Sequence, residues 1–258
     1  MEIAYTRTGS GAPLVLLHAF PMSSAMWDAQ RGGLSRDCEV ITLDQRGFGE
    51  SAGGLGEDAP DLGRVVDDLA GLLDRLDLRQ VVLGGLSMGG YVAMAFLRRH
   101  PERVRGLVLA NTKASADTPE AAENRLRIAD AVEQARSCEP LLSTVFPKLL
   151  GESSRAGSPA LTQTVERMVR HAPWQAVAWT QRAMAARGES FDVLAGAQAP
   201  VLVIAGDEDA LMSEADAEAL VKAAPDSELV TLPGVGHLSA MEAPREFNEA
   251  VSSLLRRV

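Results

Sequence analysis

Apolar residues along this chain gather into short runs separated by longer stretches of helical period. Runs rich in Val, Ile and Leu fall at 14–18, 40–44, 81–86, 107–110, 201–205 and 229–232. Between them, Leu62, Val65, Val66, Leu69, Leu72, Leu73 and Leu76 share one helical stripe, as do Phe247, Ala250, Val251, Leu254 and Leu255. Short apolar strands alternating with amphipathic helices predict an α/β fold, a mostly parallel twisted sheet with helices on both faces. The stretch 91–97 is apolar all round, and a helix of that kind between two strands is buried at the centre of its domain. The residues that immediately precede it are therefore the first place to look for chemistry.

One connection is too long for a simple crossover. Between a strand ending at Asn111 and the next starting at Val201 lie 89 residues, 112 to 200, whereas a strand–helix–strand crossover needs about 10 to 30. The surplus predicts an inserted unit, a helical cap at 113–191, on a core made of 1–112 and 192–258. Ala122, Leu126, Ala129 and Val132 mark one of its helices, with breaks at Pro140, Pro147, the Gly-Ser-Pro turn at 157–159 and Pro173.

Composition narrows the field without choosing a function. With 46% hydrophobic and 23% charged residues, the chain has enough apolar side chains for a sizeable core. Its net charge of −10 repels nucleic acid and anionic membrane surfaces, so neither is expected as a partner. The acidity is uneven: the cap holds 10 basic against 9 acidic residues, the core 15 against 26. Whether the cap presents an arginine to a substrate is open, with Arg125, Arg136 and Arg170 available. Cys38 and Cys138 stand alone, in neither a metal-binding nor a disulfide pattern. No run approaches a membrane span and no targeting segment opens the chain, so a soluble, cytoplasmic protein is expected.

Candidate chemistry lies just before the all-apolar helix. Gly85-Leu86-Ser87-Met88-Gly89 places a G-x-S-x-G pentapeptide between strand and helix, the pattern of a nucleophile elbow whose sharp turn lifts the serine hydroxyl clear of the sheet. A side chain at either glycine would collide where strand and helix converge. Three further segments carry a resemblance: Leu14 to Pro21, which includes His18-Ala19-Phe20; the turn Asp44-Gln45-Arg46-Gly47-Phe48-Gly49-Glu50-Ser51; and the long insertion itself. Over nearly its whole length the chain resembles the α/β-hydrolase superfamily. The closest motifs are those of 3-oxoadipate enol-lactonases, small bacterial carboxylesterases and the cofactor-free haloperoxidases or perhydrolases.

The resemblance implies a chain order of nucleophile, acid and histidine. Gly206-Asp207-Glu208-Asp209 and Gly234-Val235-Gly236-His237 follow the last two strands, where α/β sheets bind ligands. It makes Ser87 the nucleophile, His237 the base and Asp209 its partner, with Asp207 the alternative acid, better suited to capping the turn. It also assigns the oxyanion hole to the backbone N–H groups of Phe20 and Met88. Ala19 departs from the glycine usual there, so that loop requires a negative φ at Ala19. His18 and Arg46 read as structural.

Relatives with an aspartate nucleophile do not match. Ser87 occupies that place, Met88 stands where dehalogenases keep a tryptophan, and the cap lacks the tyrosines of epoxide hydrolases. The resemblance thus implies a serine hydrolase acting on a small ester or lactone without cofactor or metal. C–C bond hydrolysis and perhydrolysis use the same residues, and a slow small-molecule receptor is the alternative of another class. Trp27, Phe146, Trp174, Trp179, Leu211 and Leu238, with Phe20 and Met88, are the candidate apolar lining of the substrate pocket.

Overall fold

The structure, a computed structural model, describes residues 2–53, 55 and 59–258. Seven strands form one sheet: β1 (Tyr5–Thr8), β2 (Pro13–Leu17), β3 (Glu39–Leu43), β4 (Val81–Leu86), β5 (Val104–Ala110), β6 (Val201–Gly206) and β7 (Ser227–Leu232). Their order is β1-β3-β2-β4-β5-β6-β7, parallel throughout except for β1, which runs antiparallel to β3. Every residue of β4 is buried, which requires cover on both faces and explains why the strand reads as an unbroken apolar run. Strand β1 was not legible in the sequence. Its Tyr-Thr-Arg-Thr stretch sits at the sheet edge with three of four side chains exposed, so no apolar pattern marks it.

The first helices are α1 (Asp28–Leu34), α2 (Leu62–Arg75) and α3 (Met88–Arg99). Asp61 caps α2 by accepting a 2.8 Å hydrogen bond from the Gly63 N–H. The predicted stripe of α2 is buried at Leu62, Val65, Val66, Leu69, Leu72 and Leu73. Nine residues of α3 are buried, as an all-apolar helix at the centre of an α/β domain must be.

Between β5 and β6 lie α4 (Pro119–Ala135), α5 (Glu139–Thr144), α6 (Glu152–Gly157), α7 (Pro159–His171), α8 (Trp174–Ala185) and α9 (Phe191–Ala195). The prolines read as breaks open new elements here: Pro140 sits in the first turn of α5, Pro159 begins α7 and Pro173 precedes α8. Helix α4 packs along α8. Ala129 and Val132 of its predicted stripe are buried, whereas Leu126 is exposed. The chain closes with α10 (Glu214–Ala223), α11 (Ser239–Glu242) and α12 (Pro244–Leu255). Among the described residues, no helix is long and apolar enough to cross a membrane.

Candidate active site

Ser87 sits where β4 ends and α3 begins, with φ 55° and ψ −111°. A non-glycine residue in that region is strained, and such strain persists only where the surroundings hold it. They do so on every side. The Ser87 N–H donates to Ala110 O at 2.8 Å, and Ser87 O accepts from Thr112 Oγ1 at 2.8 Å and from the Gly90 N–H at 2.9 Å. A Cβ at Gly85 would overlap the Gly89 backbone, and one at Gly89 would overlap the Leu17 carbonyl. The turn therefore needs glycine at both places.

His237 follows β7 and Asp209 follows β6. His237 Nδ1 lies 2.9 Å from Asp209 Oδ2 and 3.0 Å from Oδ1, and both side chains are almost fully buried. Asp209 is held further by the N–H groups of Leu211 (2.8 Å) and Met212 (3.1 Å) and by Asn111 Nδ2 (3.0 Å). Burial works to raise the Asp209 carboxyl, but the His237 ring and these hydrogen bonds outweigh it and hold the group below the usual carboxylate range. Asp207, the alternative acid, accepts from the N–H groups of Gly234 (2.7 Å) and Val235 (3.4 Å), as a turn cap does.

A cavity of about 220 Å³ joins Ser87 and His237. Phe20 and Leu211 line it, together with residues of α3, α4, α5 and α8. The structure does not place Trp27, Met88, Phe146, Trp174, Trp179 or Leu238 in its wall. Trp27 is wholly buried with its ring 5.9 Å from Phe247 of α12, and Leu238 is likewise buried in the core. Phe146, Trp174 and Trp179 pack against the hydrophobic core. A large apolar side chain near a catalytic loop satisfies the core as readily as a substrate, and here the core takes them. Met88 opens α3, so its N–H is one of the first-turn donors that a helix leaves unpaired. Ala19 is not among the residues with positive φ, so alanine fits the loop before Phe20.

His18 is fully buried; its Nδ1 lies 3.0 Å from Ala19 O and its Nε2 accepts from the Gln45 N–H at 3.0 Å. Burial lowers its pKa to about 4, which keeps the ring neutral. Arg46 donates to both oxygens of buried Asp68, at 2.7 and 2.9 Å, tying its loop to α2. No group of three or more His, Cys, Asp or Glu side chains placed to hold a metal ion occurs among the described residues.

A family model described as "Alpha/beta hydrolase family" matches residues 14–250. The chain belongs to the alpha/beta hydrolase family. A thermophilic esterase from Thermogutta terrifontis, solved with malate bound, is 39% identical and superposes with a TM-score of 0.95 over 99% of this chain and 93% of that one. Among sequence relatives, a dihydrolipoyllysine-residue acetyltransferase component of an acetoin cleaving system from Pseudomonas putida is 31% identical over 96% of this chain. The chain spans only 64% of that protein. The 3-oxoadipate enol-lactonase 2 of Acinetobacter baylyi is 26% identical over 95% of this chain and 88% of its own length.

Two residues of this hydrolase were missed in the sequence. Asn111, with φ 46° at the end of β5, donates to Asp209 Oδ2 and to Gly236 O at 3.1 Å, and accepts from Ser239 Oγ at 2.5 Å. Glu242 accepts from the N–H groups of Gly236 and Leu238, which flank His237, and from Gly151, just before α6, each at 2.9 Å. Asn111 meets only residues far along the chain, and Glu242 joins two nearby amides to one 91 positions away, combinations that no spacing rule reveals. The place of Asn111, just after a strand that ends beside Ser87, was the one available signal.

Proposed function

We propose that this alpha/beta hydrolase cleaves a carboxylic ester or lactone of a small molecule through an acyl-enzyme formed on Ser87. Asp209 holds the His237 ring with Nδ1–H donating, which leaves Nε2 free to take the Ser87 proton as the hydroxyl oxygen attacks the carbonyl carbon. The N–H groups of Phe20 and Met88 stabilise the oxyanion of the tetrahedral intermediate. His237 then gives the proton to the departing alkoxide, and a water activated by the same ring releases the acid and restores Ser87. Residues 113–191 act as the cap that closes the pocket over this chemistry.

One observation carries the reading: a strained serine at the β4–α3 corner shares a cavity with a histidine whose far nitrogen is bonded to a buried carboxylate. The esterase and enol-lactonase relatives support the same bond type. Steady-state kinetics on 4-nitrophenyl acetate, butyrate and octanoate test it. A kcat/KM above about 10⁴ M⁻¹s⁻¹ on the short esters is expected, with a loss of about 10⁴ to 10⁶ in kcat for Ser87→Ala. A Ser87→Ala enzyme that keeps a tenth of the activity removes the nucleophile assignment, and a single stoichiometric burst without turnover favours a receptor.

A further inference from the structure

The charged residues lining the cavity are Lys113, Arg125, Lys148 and Asp117, three cations and one anion. Asp117 is already spoken for. Its side chain is buried and accepts from Arg125 Nε at 2.5 Å and Arg187 Nη1 at 2.8 Å, with Lys113 Nζ at 3.7 Å. One carboxylate thus faces three cations, an arrangement that leaves positive charge uncompensated at this wall of the cavity. Gln181 Oε1 accepts from Arg125 Nη1 at 3.2 Å and helps to fix the guanidinium. Arg125 Nη2 has no partner among the described residues.

Tyr91 supplies an independent sign of a ligand. It rises from α3 into the same cavity wall, is 4% exposed, and its ring lies under the Arg187 guanidinium, 3.9 Å from the centroid. Its hydroxyl is buried without a hydrogen-bond partner. A buried O–H left unmatched costs free energy that a bound acceptor removes. The unused donors of Arg125, Lys113 and Tyr91 call for an anionic acceptor with two oxygens.

We infer that Arg125, Lys113 and Tyr91 bind a carboxylate carried by the substrate, so that this enzyme acts on small esters or lactones bearing a second, ionised carboxyl group. The substrate half of this inference rests on the hydrolase reading above. The cavity suits it, because about 220 Å³ accommodates a short carbon chain between the reacting carbonyl and the anion. Arg136 and Arg170 play no part: neither lines the cavity, and Arg170 is exposed on the surface, paired with Glu139 and Glu166.

The test compares glutarate with neutral glutaramide as competitive inhibitors of 4-nitrophenyl acetate hydrolysis, and 4-nitrophenyl hydrogen glutarate with 4-nitrophenyl hexanoate as substrates. Glutarate is expected to bind about 30-fold more tightly than the diamide, and Arg125→Gln to shrink that ratio about 10-fold. Tyr91→Phe removes only an unpartnered oxygen; it serves if the arginine variant fails to fold, and should shrink the ratio about 3- to 10-fold. Equal inhibition by glutarate and glutaramide, or a ratio unchanged in both variants, overturns the site. Inorganic phosphate binding more tightly than glutarate overturns the carboxylate assignment. Calorimetric titration of glutarate into Ser87→Ala protein needs no turnover and separates the two readings. Glutarate binding without ester hydrolysis sinks the hydrolase reading alone, and hydrolysis without glutarate binding sinks this site alone.

Discussion

The two sides of the cavity are built by different means. On one side, residues 149–153 are bonded straight to the loops bearing His237 and Asp209. Leu238 N–H donates to Leu149 O at 3.2 Å, Glu242 gathers the amides of Gly151, Gly236 and Leu238, and Glu208, next to Asp209, accepts from the Ser153 N–H at 2.8 Å. On the other side, α4 and α8 are joined by side chains, with Arg182 paired to Asp130 at 2.7 Å and to Glu133 at 2.8 Å. Here too stands the Asp117 cluster. Each bond of the first wall engages a backbone amide, so it depends on Glu242 and Glu208 but not on the side chains of the residues that carry the amides, whereas on the second wall both partners are side chains. The first wall is suited to keeping the base in place, and the second to choosing the substrate.

That contrast is open to attack, beginning with the acid loop. Asp209→Asn is expected to lower kcat by about 10⁴, because the amide no longer holds the His237 tautomer or its charge. Asp207→Asn, which disturbs only a turn, should stay within about tenfold of wild type. The reverse ranking in steady-state assays moves the acid to Asp207.

Glu242 tests the backbone-held wall more gently. Glu242→Gln keeps an acceptor but loses the charge shared among three amides, and about a 10- to 30-fold fall in kcat is expected, with KM nearly unchanged. A purely structural glutamate would lower the melting temperature and leave kcat per folded molecule alone. Equal changes in kcat and KM would erase the distinction between the walls.

The smallest effect belongs to the side-chain wall. Burial pushes the Asp117 carboxyl up, but the hydrogen bonds and charges of Arg187 and Arg125 prevail and bring it to about 2. An unfolded aspartate titrates near 3.9, so the folded group has the lower pKa. Its stabilisation is fully present above about pH 4 and is lost as the pH falls through about 2. Asp117→Asn should therefore melt about 2–5 °C below wild type at pH 7, a gap that closes on acidification. A gap constant from pH 7 to pH 2 would show that the charge of Asp117 contributes nothing.

The sheet was legible because its central strands are buried on both faces, so each residue of a run such as 81–86 is apolar. The elbow was legible because Gly85, Ser87 and Gly89 answer steric demands within five residues. Asp207 and Asp209 were separable by role, since one follows the strand glycine directly. The cavity wall was not legible, for Trp27 meets a partner some 220 positions later in the chain, and only the folded packing decides which way such a ring points. Tyr91 shows the converse. It belongs to an apolar helix read as plain core, yet it lines the cavity together with residues of α4, α5 and α8.

The backbone at Ser87 sets a limit on how far this protein can be stabilised without loss. Glycine adopts φ 55° and ψ −111° with little penalty, so Ser87→Gly would release strain of about 1–3 kcal/mol. The same change would delete the hydroxyl on which the proposed chemistry depends. Selection for thermal endurance alone would therefore drift toward an inert protein at this position. Searches for hardier variants do better on the exposed face of α12, where neither the corner nor the cavity has anything to lose.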